Sequence, residues 1–217
     1  MSNTNRIGRL REKLSEQDIA GLFVSAPAED IHHTIGANRR YLSSFSGSMG
    51  HLLVTLNAAY IAVDFRYFEQ AERESPEYTL YKANGGMKTW LPELLGEAHL
   101  GGKKLGFESS GITYGMYATL RDAVTSLPET DRPQLTPTDG IVETLRAFKE
   151  PDELEALDRA VALGDAAFEH VAARIEPGWT EKQVALEIER YALDHGAEGL
   201  SFPASPIKET TASSAYR

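Results

Sequence analysis

The 217 residues are 41% hydrophobic and 25% charged, enough apolar content to bury a core and too much for a disordered chain. The 22 Lys and Arg against 32 Asp and Glu give a net charge of −10, which argues against nucleic acid and against an anionic membrane as partner. Cysteine is absent, which excludes a disulfide framework, a thiolate zinc site and a thiol nucleophile.

Residues 3–17 place Ile7, Leu10 and Leu14 at spacings of three and four, the signature of an amphipathic helix. The same N-terminal stretch lacks the apolar region of a secretory signal, and no apolar run approaches the roughly 20 residues of a membrane span, so a soluble cytoplasmic protein is expected. Gly21 to Val24 is a short apolar run that reads as a buried strand. His51 to Leu56 and Tyr60 to Val63 read as two strands of a hairpin turning around Asn57. A helix is expected over 65–74, a strand over 78–81, a helix over 87–95 and a strand over 104–107. Thr113 is placed to cap a helix running to Leu127, and 134–136 reads as an edge strand. This alternation predicts an α/β layer, a mixed β-sheet covered by helices, with the hairpin supplying the antiparallel part.

The composition changes near residue 149. Residues 1–148 carry 15 basic and 18 acidic groups; residues 149–199 carry 5 and 13. The Lys149-Glu150-Pro151-Asp152 sequence at that point is the expected domain boundary. Beyond it the pattern is helical only. Leu154, Leu157, Val161, Gly164, Phe168, Val171 and Ile175 form one narrow stripe, ended by Pro177-Gly178. Thr180 with Gln183 three residues on is a capping box that opens a second helix, expected to end at His195-Gly196. Two helices form a hairpin but enclose no core, so their stripes need a cover. Residues 203–217, small and polar with no usable period, read as a disordered tail or as one made foreign by a shift of reading frame.

Most catalytic signatures are missing. There is no phosphate-binding G-x-x-x-x-G-K, no G-x-S-x-G and no H-E-x-x-H, and no two of the six histidines have ligand spacing. Two stretches carry more. Arg40 to Gly50 sets two glycines and four serines beside aromatics, a backbone able to turn sharply and approach a ligand or another chain closely. Its plainer reading is a loop entering a strand. Val63 to Ala71 places Asp64 at a strand end before a helix, where helix capping alone explains it.

In these stretches the sequence resembles a family. Arg40 to Gly50, Asp64 to Ala71, Leu145 to Leu157, Ile175 to Glu181 and Gly196 to Phe202 resemble, in order and spacing, five segments of the Xaa-Pro aminopeptidases, prolidases and creatinases. The resemblance implies a creatinase-like N-terminal α/β domain over 1–148, and over 149–202 a helical hairpin from an incomplete pita-bread α+β domain. In the family that second domain holds two divalent ions (Mn, Co or Zn) on two Asp, one His and two Glu, which activate a water and hold the scissile carbonyl. None of these five ligands can be carried over: after Phe202 the chain has one acidic residue, Glu209, and no histidine.

Two readings follow. One is a relative of the Xaa-Pro metallopeptidases that is inactive as this chain and binds no metal. The other is a non-catalytic module that forms a dimer, shapes a partner's substrate cleft, or joins a separate catalytic-domain chain. The resemblance assigns substrate-cleft or subunit contact to Ser46, Gly47, Ser48, Gly50 and Arg66, and names no catalytic residue.

Overall fold

The computed structural model describes residues 3–25 and 36–201. The chain divides into two compact units, one ending at Phe148 and the other beginning at Lys149.

The first unit is built in the order α1 (Asn3–Glu16), β1 (Gly21–Ser25), α2 (Ala37–Ser43), β2 (His51–Thr55), β3 (Ala59–Val63), a 3-10 turn (Phe65–Tyr67), α3 (Phe68–Glu74), β4 (Thr79–Lys82), α4 (Met87–Glu97), β5 (Lys104–Glu108), α5 (Tyr114–Thr125), a 3-10 turn (Glu129–Asp131), β6 (Gln134–Thr138) and α6 (Ile141–Ala147). The six strands form one sheet in the order β4-β3-β2-β1-β5-β6. β2 is antiparallel to both β1 and β3, whereas β1–β5, β5–β6 and β3–β4 are parallel. Five strands therefore point one way, and β2 alone runs against them. The expected mixed α/β sheet is what forms, with 134–138 at its edge.

Alternation along each strand divides the core between the two faces. Leu22, Val24, Leu52, Val54, Ile61 and Val63 pack with Ile7, Leu10 and Leu14 of α1 and with Ile141, Val142 and Leu145 of α6. Phe23, Leu53, Ala62 and Phe107 face the other way, onto Trp90, Leu91 and Leu94 of α4 and Leu120, Ala123 and Val124 of α5. β1 is buried at all five positions because helices cover both faces, which is why it reads as an unbroken apolar run.

Three details depart from expectation. The helix over 65–74 is a 3-10 turn followed by α3, because the Asp64 carboxylate accepts from the Arg66 amide and the Tyr67 backbone leaves helical geometry. Part of the Arg40–Gly50 loop is helix α2, which has no apolar period to announce it. Residues 141–147 form α6, which the strand-and-helix pattern did not reveal.

The second unit is an antiparallel pair, α7 (Pro151–Ala172) and α8 (Glu181–Asp194). Pro151 occupies the first turn of α7, where its missing N–H costs nothing, and Glu150 with Glu153 forms a reciprocal cap. Thr180 and Gln183 cap α8 in the same way. Between the helices His170 Nε2 lies 2.8 Å from Glu187 Oε1, and the Tyr191 ring packs against both His170 and His195. The first helix is shorter than its stripe, ending three residues before Ile175. Residues 203–217 lie outside the described residues.

Candidate functional site

The loop joining α2 to β2 is organised by one buried cation and one buried ring. Arg39 is in α2, and its guanidinium donates to the carbonyl of Gly47 at 2.7 Å and of Gly50 at 3.4 Å. It also stacks over Phe45, with 5.5 Å from the guanidinium carbon to the ring centroid. Phe45 is fully buried and meets Tyr67 edge-on. The loop closes over this ring so tightly that a Cβ on Gly47 would lie 2.2 Å from Phe45 Cζ. Gly50 is held nearly as closely, with Phe45 and Val63 atoms 3.0 and 3.2 Å from its Cβ position. Gly47 is therefore required by close approach of the backbone to the ring beneath it, whereas a side chain at Gly50 would need Phe45 or Val63 to give by a few tenths of an ångström.

The exposed side of the loop is tied to α3. The Ser46 amide and hydroxyl both donate to Glu74 Oε2 at 2.9 Å, and Gln70 donates to the Ser46 hydroxyl at 2.9 Å. Partial burial works to raise the Glu74 carboxyl, but the Ser46 amide, Gln70 and the Ser46 hydroxyl outweigh it and hold the group below its ordinary value. Ser48 shares a short hydrogen bond with the Tyr67 hydroxyl. Arg66 turns back on Asp64 with two bonds of 2.9 and 2.8 Å, and its guanidinium lies 5.3 Å from the Tyr67 ring centroid. That pairing lowers the Asp64 carboxyl and raises Arg66.

The structure thus places Ser46, Gly47, Ser48, Gly50 and Arg66 in one patch, joined through Phe45 and Tyr67. Ser46, Ser48 and Arg66 are exposed, whereas Gly47 and Gly50 are inside. No imidazole or second carboxylate approaches either serine within hydrogen-bond reach among the described residues, so the patch has no activated nucleophile. Arg39 was not among the expected site residues. Its only sequence signal is an arginine pair ahead of an aromatic-serine-glycine run.

A second polar cluster was invisible in the sequence. Asn38 of α2 donates from Nδ2 to both Glu108, at the end of β5, and Glu143 of α6, each at 2.6 Å. Arg146 donates to Asn38 Oδ1 at 2.8 Å. The partners are 70 to 108 residues apart along the chain. Burial, with Glu143 adding to it, pushes the Glu108 carboxyl up to about 7 against the pull of Asn38 and Arg146.

No group of three or more His, Cys, Asp or Glu side chains is placed to hold a metal ion among the described residues.

Comparison with known proteins agrees with this anatomy. Residues 6–148 match the creatinase/prolidase N-terminal domain. Residues 155–216 match metallopeptidase family M24, a match that takes in most of the segment set apart by composition as a tail. The uncharacterized peptidase YqhT of Bacillus subtilis is 29% identical over 91% of this chain and 51% of its own length. The Xaa-Pro dipeptidase from Bacillus anthracis superposes with a TM-score of 0.79 at 30% identity, over 91% of this chain and 51% of that one. The N-terminal domain of the cytoplasmic peptidase PepQ from Mycobacterium tuberculosis, 31% identical, matches over 65% of this chain and 98% of its own, with a TM-score of 0.53. The chain spans about half the length of the Bacillus relatives. With two-thirds of its residues matched to the N-terminal domain and most of the rest to the metallopeptidase domain, the chain belongs to the creatinase/prolidase family.

Proposed function

We propose that this chain carries the N-terminal module and a part of the metallopeptidase domain of an Xaa-Pro peptidase, and that these 217 residues by themselves do not hydrolyse the bond preceding proline. The observation behind this reading is the donor set: matched to a metallopeptidase family over 155–216, the chain supplies no metal-binding cluster among its described residues and no histidine after Phe202. Its own contribution is then architectural. The Arg39–Phe45 support holds Ser46, Ser48 and Arg66 on a rigid surface fit for a substrate cleft or a subunit contact. A cytoplasmic location and a dimeric state, or assembly with a catalytic chain, belong to the same proposal. A dinuclear centre, when present in such a peptidase, supplies the activated water; here it would come from residues this chain lacks.

The test is hydrolysis of Xaa-Pro dipeptides and tripeptides by the purified chain, with manganese, cobalt or zinc added, alongside metal analysis. No cleavage and fewer than two tightly held ions per chain are expected. Chelator-sensitive cleavage that co-purifies with the chain would refute the proposal.

A further inference from the structure

At the edge of the first unit where five strands end, a cleft of about 470 Å³ opens beside the loop just described. This is the edge at which parallel sheets with helical crossovers form ligand crevices, and the volume is ordinary for a small-molecule site. Its lining gathers most of the chain's methionines. Met49, Met87 and Met116 all contribute, three of the chain's four methionines, with Trp90 and His51 among them. Thioethers are adaptable and make favourable contacts with ring edges. Phe65, next in the chain to the cleft residue Asp64, is 77% exposed, and Tyr114, between the cleft residues Thr113 and Gly115, is 81% exposed.

The polar element is His51. Its ring stacks on Phe23 at 5.7 Å between centroids and lies 5.4 Å from that of Trp90. Nδ1 is committed to the Ser25 hydroxyl at 2.8 Å, which leaves Nε2, without a protein partner among the described residues, for a ligand. Burial, helped by Arg39, lowers this imidazole to about 4, so it is neutral under ordinary conditions and recruits no anion. The one carboxylate of the lining, Asp64, is already paired with Arg66. Neither His51 nor the paired Asp64 offers a ligand a free charge of opposite sign.

We propose that this cleft binds a small, neutral aromatic ligand, its ring held by Met49, Met87, Met116 and Trp90 and a single polar head bonded to His51 Nε2.

Phenol is the probe, with benzene lacking the head and cyclohexanol lacking the ring. The full chain, labelled at methionine methyls and indole N–H groups, is titrated by NMR. Phenol should shift the Met49, Met87 and Met116 methyls and the Trp90 indole along one saturating curve with a Kd below about 10 mM, leaving Trp179 in place. Benzene should bind about fivefold more weakly, the worth of one hydrogen bond, and His51→Leu should abolish that difference. Cyclohexanol should also bind at least threefold more weakly. Where His51→Leu does not fold, Met116→Ala, at a partly exposed position, should weaken phenol at least threefold. Shifts that do not saturate, cyclohexanol binding as well as phenol, a phenol preference that survives His51→Leu, or Met116→Ala binding phenol unchanged would each overturn the proposal.

Discussion

Gly47 is held by its distance from a ring. Its backbone needs no left-handed conformation, but the missing Cβ is what lets the loop lie on Phe45. Phe45 is fully buried and clamped from behind by Arg39, so it has little room to yield. Gly47→Ala should therefore cost about 1–3 kcal/mol, the usual penalty for overpacking, measured as a fall in the urea midpoint. Adding Phe45→Leu should restore part of that loss; an unchanged midpoint in Gly47→Ala would show that the loop shifts freely. Two partly buried titratable groups in the same unit act on stability in opposite directions. Glu108, raised to about 7, favours the fold when protonated, so its contribution is full below its unfolded value near 4.5 and is lost as pH rises towards 7. His51, lowered to about 4, favours the fold when neutral, so its contribution is full above 6.5 and is lost as pH falls towards 4. Glu108→Gln keeps the carbonyl that accepts from Asn38 and removes the titration. It should stabilise the chain at pH 8 relative to pH 5 by up to roughly 3 kcal/mol, compared with the parent. Equal pH slopes in the two proteins would mean that Glu108 titrates normally.

Among the elements, α7 is the one whose sequence asks for more than the chain supplies. At 22 residues it is about 33 Å long, against about 21 Å for the 14 residues of α8. Only Ala167 and Val171 of its hydrophobic residues are buried. Leu157 is 48% and Phe168 69% exposed, and Leu154, Val161 and Ile175 are exposed with them. The reason is geometric: of the stripe positions only Val171 is buried, so most of the stripe lies off the face that α8 covers. Covering one such side chain is worth roughly 1.5–3 kcal/mol, so a second helical hairpin is a favourable cover. The expected result is self-association of the chain at micromolar concentration, seen by light scattering, and a shift towards monomer in Leu157→Glu combined with Phe168→Glu. A parent chain that stays monomeric over the whole concentration range would rule this out.

At the scale of the molecule, both hydrophobic clusters of the sheet draw all their residues from 7 to 145. Each face has helices of its own, so the first unit contains everything a domain needs to fold. A fragment of residues 1–148 should then unfold in one cooperative urea transition followed by its single tryptophan, Trp90. A gradual, non-cooperative change would show that the core depends on residues beyond 148.

The elements were legible in the sequence because their signals are local. A three-four spacing marks α1 and α7, apolar runs mark β1 to β3, and hydroxyl caps at Thr113 and Thr180 mark the starts of α5 and α8. Five short segments in the right order likewise carried the family resemblance, and the lack of histidine after Phe202 is a property of the sequence alone. Tertiary structure decided the rest, because it depends on groups far apart in the chain. Helix α2 has no apolar period and is held by buried Arg39 and by Asn38, whose partners come from β5 and α6. The strand order places β2 between β1 and β3, which brings His51 against Phe23 and Ser25. The carboxyl ends of the parallel strands meet three methionines from three separate segments, so the cleft exists only in the folded sheet. A spacing rule reads neighbours a few residues apart, whereas burial, pairing and a shifted pKa are set by residues that folding alone brings together.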